Sequence, residues 1–219
     1  MLRIYNMLRK RSGYLGWWPA DSDFEVFVGT ILTQNTSWKN VEKAIYNLKA
    51  ADALSMEGIA SMPVRRLERL IRPSGYYRQK AQRLKGLCSG ILRDYGGLTD
   101  LFTLRKDVLR TTLLSMNGIG RETADSIILY AAHKPTFVID AYTRRMISRL
   151  SGSPEMEYDS LKNVFESGIR PDVRLYKDFH AQIVELGKNY CTKSSPKCAE
   201  CPLRDMCAHY SSNSHRVQS

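Results

Sequence analysis

Four cysteines crowd towards the end of the chain: Cys191, Cys198, Cys201 and Cys207, separated by six, two and five residues. Thiolates at these intervals can wrap one compact metal centre, with Pro196 and Pro202 stiffening the loops between them. The spacing leaves zinc and an iron–sulfur cluster both open, with two disulfides a poor third. Either metal makes this a structural clip and not a catalyst. Cys88 stands alone in a helical stretch and reads as a small buried hydrophobe.

A second chemical signal is Leu113-Leu-Ser-Met-Asn-Gly118-Ile119-Gly120-Arg121-Glu122. One helix ends near Met116, two glycines frame an aliphatic residue, and a second helix follows at once. Gly118 and Gly120 are expected to take backbone angles closed to other residues and to let N–H groups approach a phosphate at the next helix's positive end. Ile119 would tuck between the helices. An ordinary interhelical turn is the plainer alternative. Twenty residues past Gly120, Phe137-Val-Ile-Asp140 places a carboxylate directly after an apolar run, where a helix opens. Such an Asp is most often an N-cap, and the cap is compatible with a chemical role.

These residues need a scaffold, and the pattern predicts an all-α one. Amphipathic spacing predicts helices over Phe24 to Thr33 (with Asp21 and Ser22 as capping candidates), Trp38 to Leu48, Met62 to Ile71 with Pro63 in the first turn, and Tyr77 to Tyr95, closed by Gly96-Gly97. Pro73-Ser-Gly75 interrupts the third from the fourth. Val138-Ile139 is too short to anchor a sheet, and the polar end, Ser211 to Ser219, is expected to fray. His133-Lys-Pro135 predicts a passage between two lobes: residues 23–133 as one, and 1–22 with 134–219 as the other. A formal net charge of +11 calls for a polyanionic partner. No apolar run is long enough to cross a membrane, and Met1-Leu-Arg-Ile-Tyr-Asn6 lacks a signal peptide's apolar core, so a cytoplasmic protein with reduced thiols is expected.

Taken together, Met116-Asn-Gly-Ile-Gly-Arg121, Val138-Ile-Asp140 and the 6-2-5 cysteine spacing resemble endonuclease III and the other helix-hairpin-helix DNA glycosylases, from about Phe24 to Cys207. The resemblance implies two helical lobes, double-stranded DNA held across the cleft between them, and a damaged nucleotide flipped out. It implies Asp140 as the catalytic residue, a [4Fe–4S] cluster on the four cysteines and a monomer. Leu32-Thr-Gln34-Asn35-Thr36 resembles the segment whose glutamine fills the gap left by the flipped base. Gln34, Asn35, Gly118, Ile119, Gly120 and Arg121 are the implied DNA contacts. Bifunctional members carry a Schiff-base lysine two residues after the second hairpin glycine; here that position is Glu122, which cannot form the imine.

Trp17-Trp18-Pro19, Thr33 to Thr36, Arg72-Pro-Ser-Gly-Tyr-Tyr77, Gly120-Arg-Glu-Thr-Ala-Asp125 and Phe179-His-Ala-Gln-Ile-Val-Glu185 also resemble the 3-methyladenine-DNA glycosylase branch, whose members lack the cysteine motif. That branch implies a base pocket with Trp17, Trp18 and Trp38 as aromatic walls, a modified lysine at Lys188, and Glu122 at its edge. Indole faces attract a cationic base by roughly 0.5–2 kcal/mol per contact. The expectation is therefore a monofunctional glycosylase for alkylated purines. The rivals are a glycosylase for oxidised pyrimidines, uracil or mismatched bases, a non-catalytic damage-binding module, and a zinc-clipped interaction protein.

Overall fold

The computed structural model describes residues 1–214, and among them there is no strand. The chain divides into two compact units, Trp18–Lys134 and Met1–Trp17 with Pro135–Ser219. The helices in chain order are α1 (Leu2–Ser12), α2 (Asp23–Leu32), α3 (Trp38–Ala50), α4 (Met56–Ser61), α5 (Val64–Leu70), α6 (Tyr77–Tyr95), α7 (Leu98–Thr103), α8 (Lys106–Ser115), α9 (Arg121–Ser126), α10 (Ala141–Ser151), α11 (Tyr158–Gly168), α12 (Val173–Asn189) and α13 (Ala208–Ser214).

In the contiguous unit, α2 is apolar nearly all round, and Phe27, Val28, Ile31 and Leu32 are fully buried, as a central helix requires. Ser22 is its cap, accepting from Glu25 N at 3.1 Å. Helix α3 buries the expected face, Val41, Ala44, Ile45 and Leu48. Helix α5 starts one residue later than a Pro63 in its first turn would allow: Pro63, at φ −57° and ψ 130°, stands before the helix as its cap position. Arg72–Ser74 form a 3₁₀ turn where Pro73 breaks the pattern, and Gly96, at φ +76°, ends α6. A π-helical segment, Ile127–Ala131, prolongs α9 and is wholly buried.

Lys80 braces this unit from inside. Its residue surface is 2% exposed, and Nζ donates to Leu32 O at 2.8 Å and Ser74 O at 2.7 Å. It thus ties the end of α2, which leads into Gln34, to the turn that precedes α6. Burial, with the nearby Arg83 charge, lowers its pKa to about 8.

The discontinuous unit is built round α12, whose buried residues run from Tyr176 to Gly187. Phe137 stacks on Phe165 at 4.2 Å and meets Tyr176 and Phe179 edge-on. Asp178, buried on α12, accepts from Tyr5 Oη at 2.7 Å and from Leu15 N at 3.0 Å, and Gln182 Nε2 donates to Gly13 O at 2.6 Å. Burial and the Asp178 carboxylate push the Tyr5 phenol up to about 12. These bonds fix the segment that carries Trp17. The fraying expected from Ser211 is not seen as far as Ser214, because α13 continues through it, bonded by Ser211 N to Cys207 O; residues 215–219 of that expectation lie outside the described residues.

Lys80→Met leaves two buried carbonyls without their donor and should cost about 2 kcal/mol. Between pH 8 and pH 10.5 the unfolded chain keeps the proton the folded Lys80 has lost, so this residue makes stability rise with pH there. Urea unfolding of both proteins at the two ends of that range should show a smaller rise in the variant.

Candidate active site

Asp140 ends an extended approach. Glu166 Oε1 accepts from Thr136 Oγ1 at 3.1 Å and Phe137 N at 2.8 Å, and holds the segment at its start. At its end, Asp140 lies in extended backbone and caps α10. One carboxylate oxygen, Oδ1, accepts from both Thr143 N at 2.7 Å and Thr143 Oγ1 at 2.8 Å. The other, Oδ2, lies 3.4 Å from His180 Nε2 on α12. Asp140 is only 8% exposed. Burial alone would raise its pKa, but the facing imidazole and the two Thr143 donors outweigh it and hold the carboxyl below its ordinary value of 3.8. The group is an ionised carboxylate at neutral pH, with one oxygen committed to the helix.

Trp17 covers His180, ring centres 5.7 Å apart, and Lys188 Nζ stands 5.8 Å from the Trp17 ring centre. Asp140, Trp17 and Lys188 therefore share one neighbourhood. His180 was missed as a member of it; its only signal was the His-x-x-Ile-Val-Glu run. The other two tryptophans belong to the other unit. Trp18 and Trp38 meet edge to face, 5.0 Å apart at 84°, over Gly29, and Trp18 also packs on Tyr130 at 5.1 Å. They are not two parallel walls.

The hairpin joins α8 to α9. Arg110 on α8 makes a two-pronged bond to the buried Asp125 on α9, at 2.9 and 3.2 Å, which locks the two arms together. Ile119 is buried between them, 5% exposed. Gly118 has φ +85°, but Gly120 has φ −89° and ψ 178°, ordinary extended backbone. The expectation of special angles at both glycines is thus corrected to one, because a single left-handed residue completes the turn. Arg121 and Glu122 are exposed in the first turn of α9, where an acid suits the helix dipole.

Gln34 is tied to the hairpin and to α6. Its Nε2 donates to Gly118 O at 3.2 Å and Thr123 Oγ1 at 3.1 Å, and its Oε1 accepts from Arg83 Nη1 at 2.5 Å. Asn35, exposed beside it, has φ +55°. Sequence reasoning did not find Arg83, which lies in mid-α6 with no motif round it.

None of the five cysteines is in a disulfide. Burial, reinforced by Cys191 and Cys207, raises the thiol pKa of Cys198, and burial with the other three thiols raises that of Cys201, so the four sulfurs stand within electrostatic reach of one another. Arg149 of α10 donates to Cys191 Sγ at 3.2 Å and to Thr192 O at 2.8 Å, and Arg145 donates to Cys191 O at 2.8 Å. A guanidinium donating to a ligating sulfur offsets the negative charge that an anionic centre gathers there. The donor set fits an iron–sulfur cluster.

Residues 191–207 match the iron-sulfur binding domain of endonuclease III, and the protein carries a [4Fe–4S] cluster of that type. Residues 28–171 match the HhH-GPD superfamily base excision DNA repair protein family. A protein of Methanocaldococcus jannaschii with the provisional name DNA repair glycosylase MJ1434 is 47% identical over 208 residues, 94% of each chain. The crystal structure of H. pylori 3-methyladenine DNA glycosylase (MagIII) bound to 1,N6-ethenoadenine is 32% identical, with TM-score 0.74, covering 85% of this chain and 96% of that one. A non-covalent endonuclease III–DNA complex, 21% identical, shares the fold at TM-score 0.82 over 98% of this chain and 96% of that one. With the hairpin, the capping aspartate and the cysteine loop all inside these matches, the chain belongs to the HhH-GPD superfamily of base excision DNA repair proteins.

Proposed function

We propose that this chain is a monofunctional DNA glycosylase that excises alkylated purines of the 3-methyladenine type and leaves an intact abasic site. The observation that carries the reading is the divided carboxylate of Asp140: Oδ1 is held by Thr143, while Oδ2 faces His180 and remains ionised. An N3-methylated adenine is cationic and leaves without a general acid. The bond between C1′ and the base nitrogen breaks with its electron pair going to the base, which becomes neutral. Asp140 Oδ2 stabilises the positive charge left on C1′ and accepts the proton of the water that adds there. Trp17, with Lys188 Nζ 5.8 Å from its ring centre, supplies an indole face for the cation, and the resemblance to the 3-methyladenine branch adds Trp18 and Trp38 as further indole candidates. The MagIII resemblance supports an alkylated purine as substrate.

Gly118, Ile119, Gly120, Arg121 and Asn35 form the contact to the phosphate backbone of double-stranded DNA, and Gln34 fills the space of the flipped nucleotide. Cys191, Cys198, Cys201 and Cys207 hold the cluster, which contributes structure. The protein acts as a monomer in the cytoplasm. A neutral-base substrate, an oxidised pyrimidine, uracil or mismatched base, is the second reading, favoured by the endonuclease III type of cysteine loop and by Trp18 and Trp38 meeting edge to face.

The deciding experiment incubates the protein with duplexes carrying methylated purines, thymine glycol or uracil, and assays released base and strand breaks with and without alkali. Release of 3-methyladenine, with breaks only after alkali, is expected. Release of a neutral base alone transfers the assignment to the second reading, and no release from any duplex leaves a binding module.

Asp140→Asn keeps the cap and should lower single-turnover excision by about 10²–10⁴-fold with the melting temperature little changed. Because the folded pKa of Asp140 is depressed, its ionised form and the stability it lends persist as pH falls and are lost only through that lowered value. The acidic limb of the wild-type rate profile that belongs to this group should therefore fall below 3.8. Glu122→Lys should introduce a borohydride-trapped DNA adduct, absent from the wild type; no adduct in the variant would show that the lysine position is not what withholds lyase activity.

A further inference from the structure

Arg83 has no part in the motifs above, yet its side chain lies directly on the hairpin. A Cβ added to Gly118 would come within 1.8 Å of Arg83 Nε and 2.2 Å of its Cδ, so any side chain there would displace the guanidinium, while the φ of +85° is what requires glycine. Nη1 is bonded to Gln34 Oε1, and Gln34 Nε2 in turn to Gly118 O and Thr123 Oγ1. Arg83, Gln34 and the hairpin are thus one closed network inside a single unit. Arg83 is half-buried, and its remaining N–H groups have no hydrogen-bond partner among the described residues. Arg83 also lines an open groove of about 620 Å³, together with Gln79, Gln82, Met116 and Asn117.

A fixed guanidinium with donors to spare, beside a backbone turn of a chain with net charge +11, is built for an oxyanion. We infer that Arg83 is a further DNA-binding and positioning residue: its guanidinium takes one backbone phosphodiester next to the hairpin and, in the same plane, holds the Gln34 amide in register with that phosphate. Engagement of the backbone and placement of Gln34 are then a single event. The inference rests on the proposed role of Gln34 for its second half only; the phosphate contact stands without it.

The test uses the cluster-loaded protein and a duplex with a tetrahydrofuran abasic analogue, with affinity followed across a salt series, alongside single-turnover excision of the preferred lesion. Arg83→Met should reduce the slope of log affinity against log salt by about 0.9, the loss of one phosphate contact. It should also slow excision about tenfold, the loss of one charge-assisted bond. Arg83→Lys should restore the slope but not the rate, since an ammonium has no planar fork to serve two partners. Arg66→Met, an exposed arginine on α5 removed as a charge control, should alter neither. Should Arg83→Met prove unstable, Arg83→Gln gives the same slope test. An unchanged slope in Arg83→Met or Arg83→Gln, or an equal loss in Arg66→Met, overturns the phosphate contact. Gln34→Ala separates the two readings: slower excision at unchanged slope supports the coupling, whereas an unchanged rate removes the Gln34 role and leaves Arg83 to be judged by its slope.

Discussion

The site depends on one constraint: the first turn of α10 has backbone N–H groups that its own helix cannot satisfy. Asp140 answers that need with Oδ1, and Thr143 answers twice, through N and Oγ1. Two bonds to one oxygen restrain the carboxylate, so the direction of Oδ2 is set by the geometry of a helix terminus. His180, brought by α12, then faces an oxygen already aimed. A buried anion is costly unless it is bonded, and here the bonds that make it tolerable are also the ones that aim it.

The same logic recurs where no chemistry is at stake. Asp178, Asp125 and Lys80, buried, and Glu166, half-buried, are charged side chains that each bind segments apart in sequence. Asp178 gathers α1 and the segment before Trp17; Glu166 fixes the approach to Asp140; Asp125 joins the hairpin arms; Lys80 joins two turns. Apolar packing fills each unit, and these few directional bonds decide which loop lies where.

The stretches α3 and α6 were legible because their amphipathic period repeats over three or more turns, and α2 because its apolar run follows a capping pair; all three begin and end within two residues of their expected bounds. Helices α4 and α7 are six residues each, too short for a period to show, and the buried π-helical segment has no sequence mark separate from α9. Pro63 illustrates a finer limit, since its ring suits both the last residue before a helix and the first within it. Asp140, the hairpin and the four cysteines could be found because their meaning lies in local spacing. His180 and Arg83 could not, since their partners lie 40 and 49 positions away and only the fold brings them near. The three tryptophans could be named only through the resemblance to the 3-methyladenine branch, since no local spacing sets them apart from core aromatics.

The bond from Tyr5 to Asp178 spans 173 positions, and that from Leu15 to Asp178 spans 163. Between their ends lies the whole of the contiguous unit, Trp18–Lys134. On a ribosome that emits the chain from its amino end, this middle portion has all its own packing partners before α12 exists. Helix α1, with Ile4, Tyr5 and Leu8 destined for burial, must wait with its apolar face uncovered until α12 emerges. The segment bearing the cluster cysteines follows later still, so synthesis in this order closes the contiguous unit first, the α1–α12 pair next and the cysteine loop last.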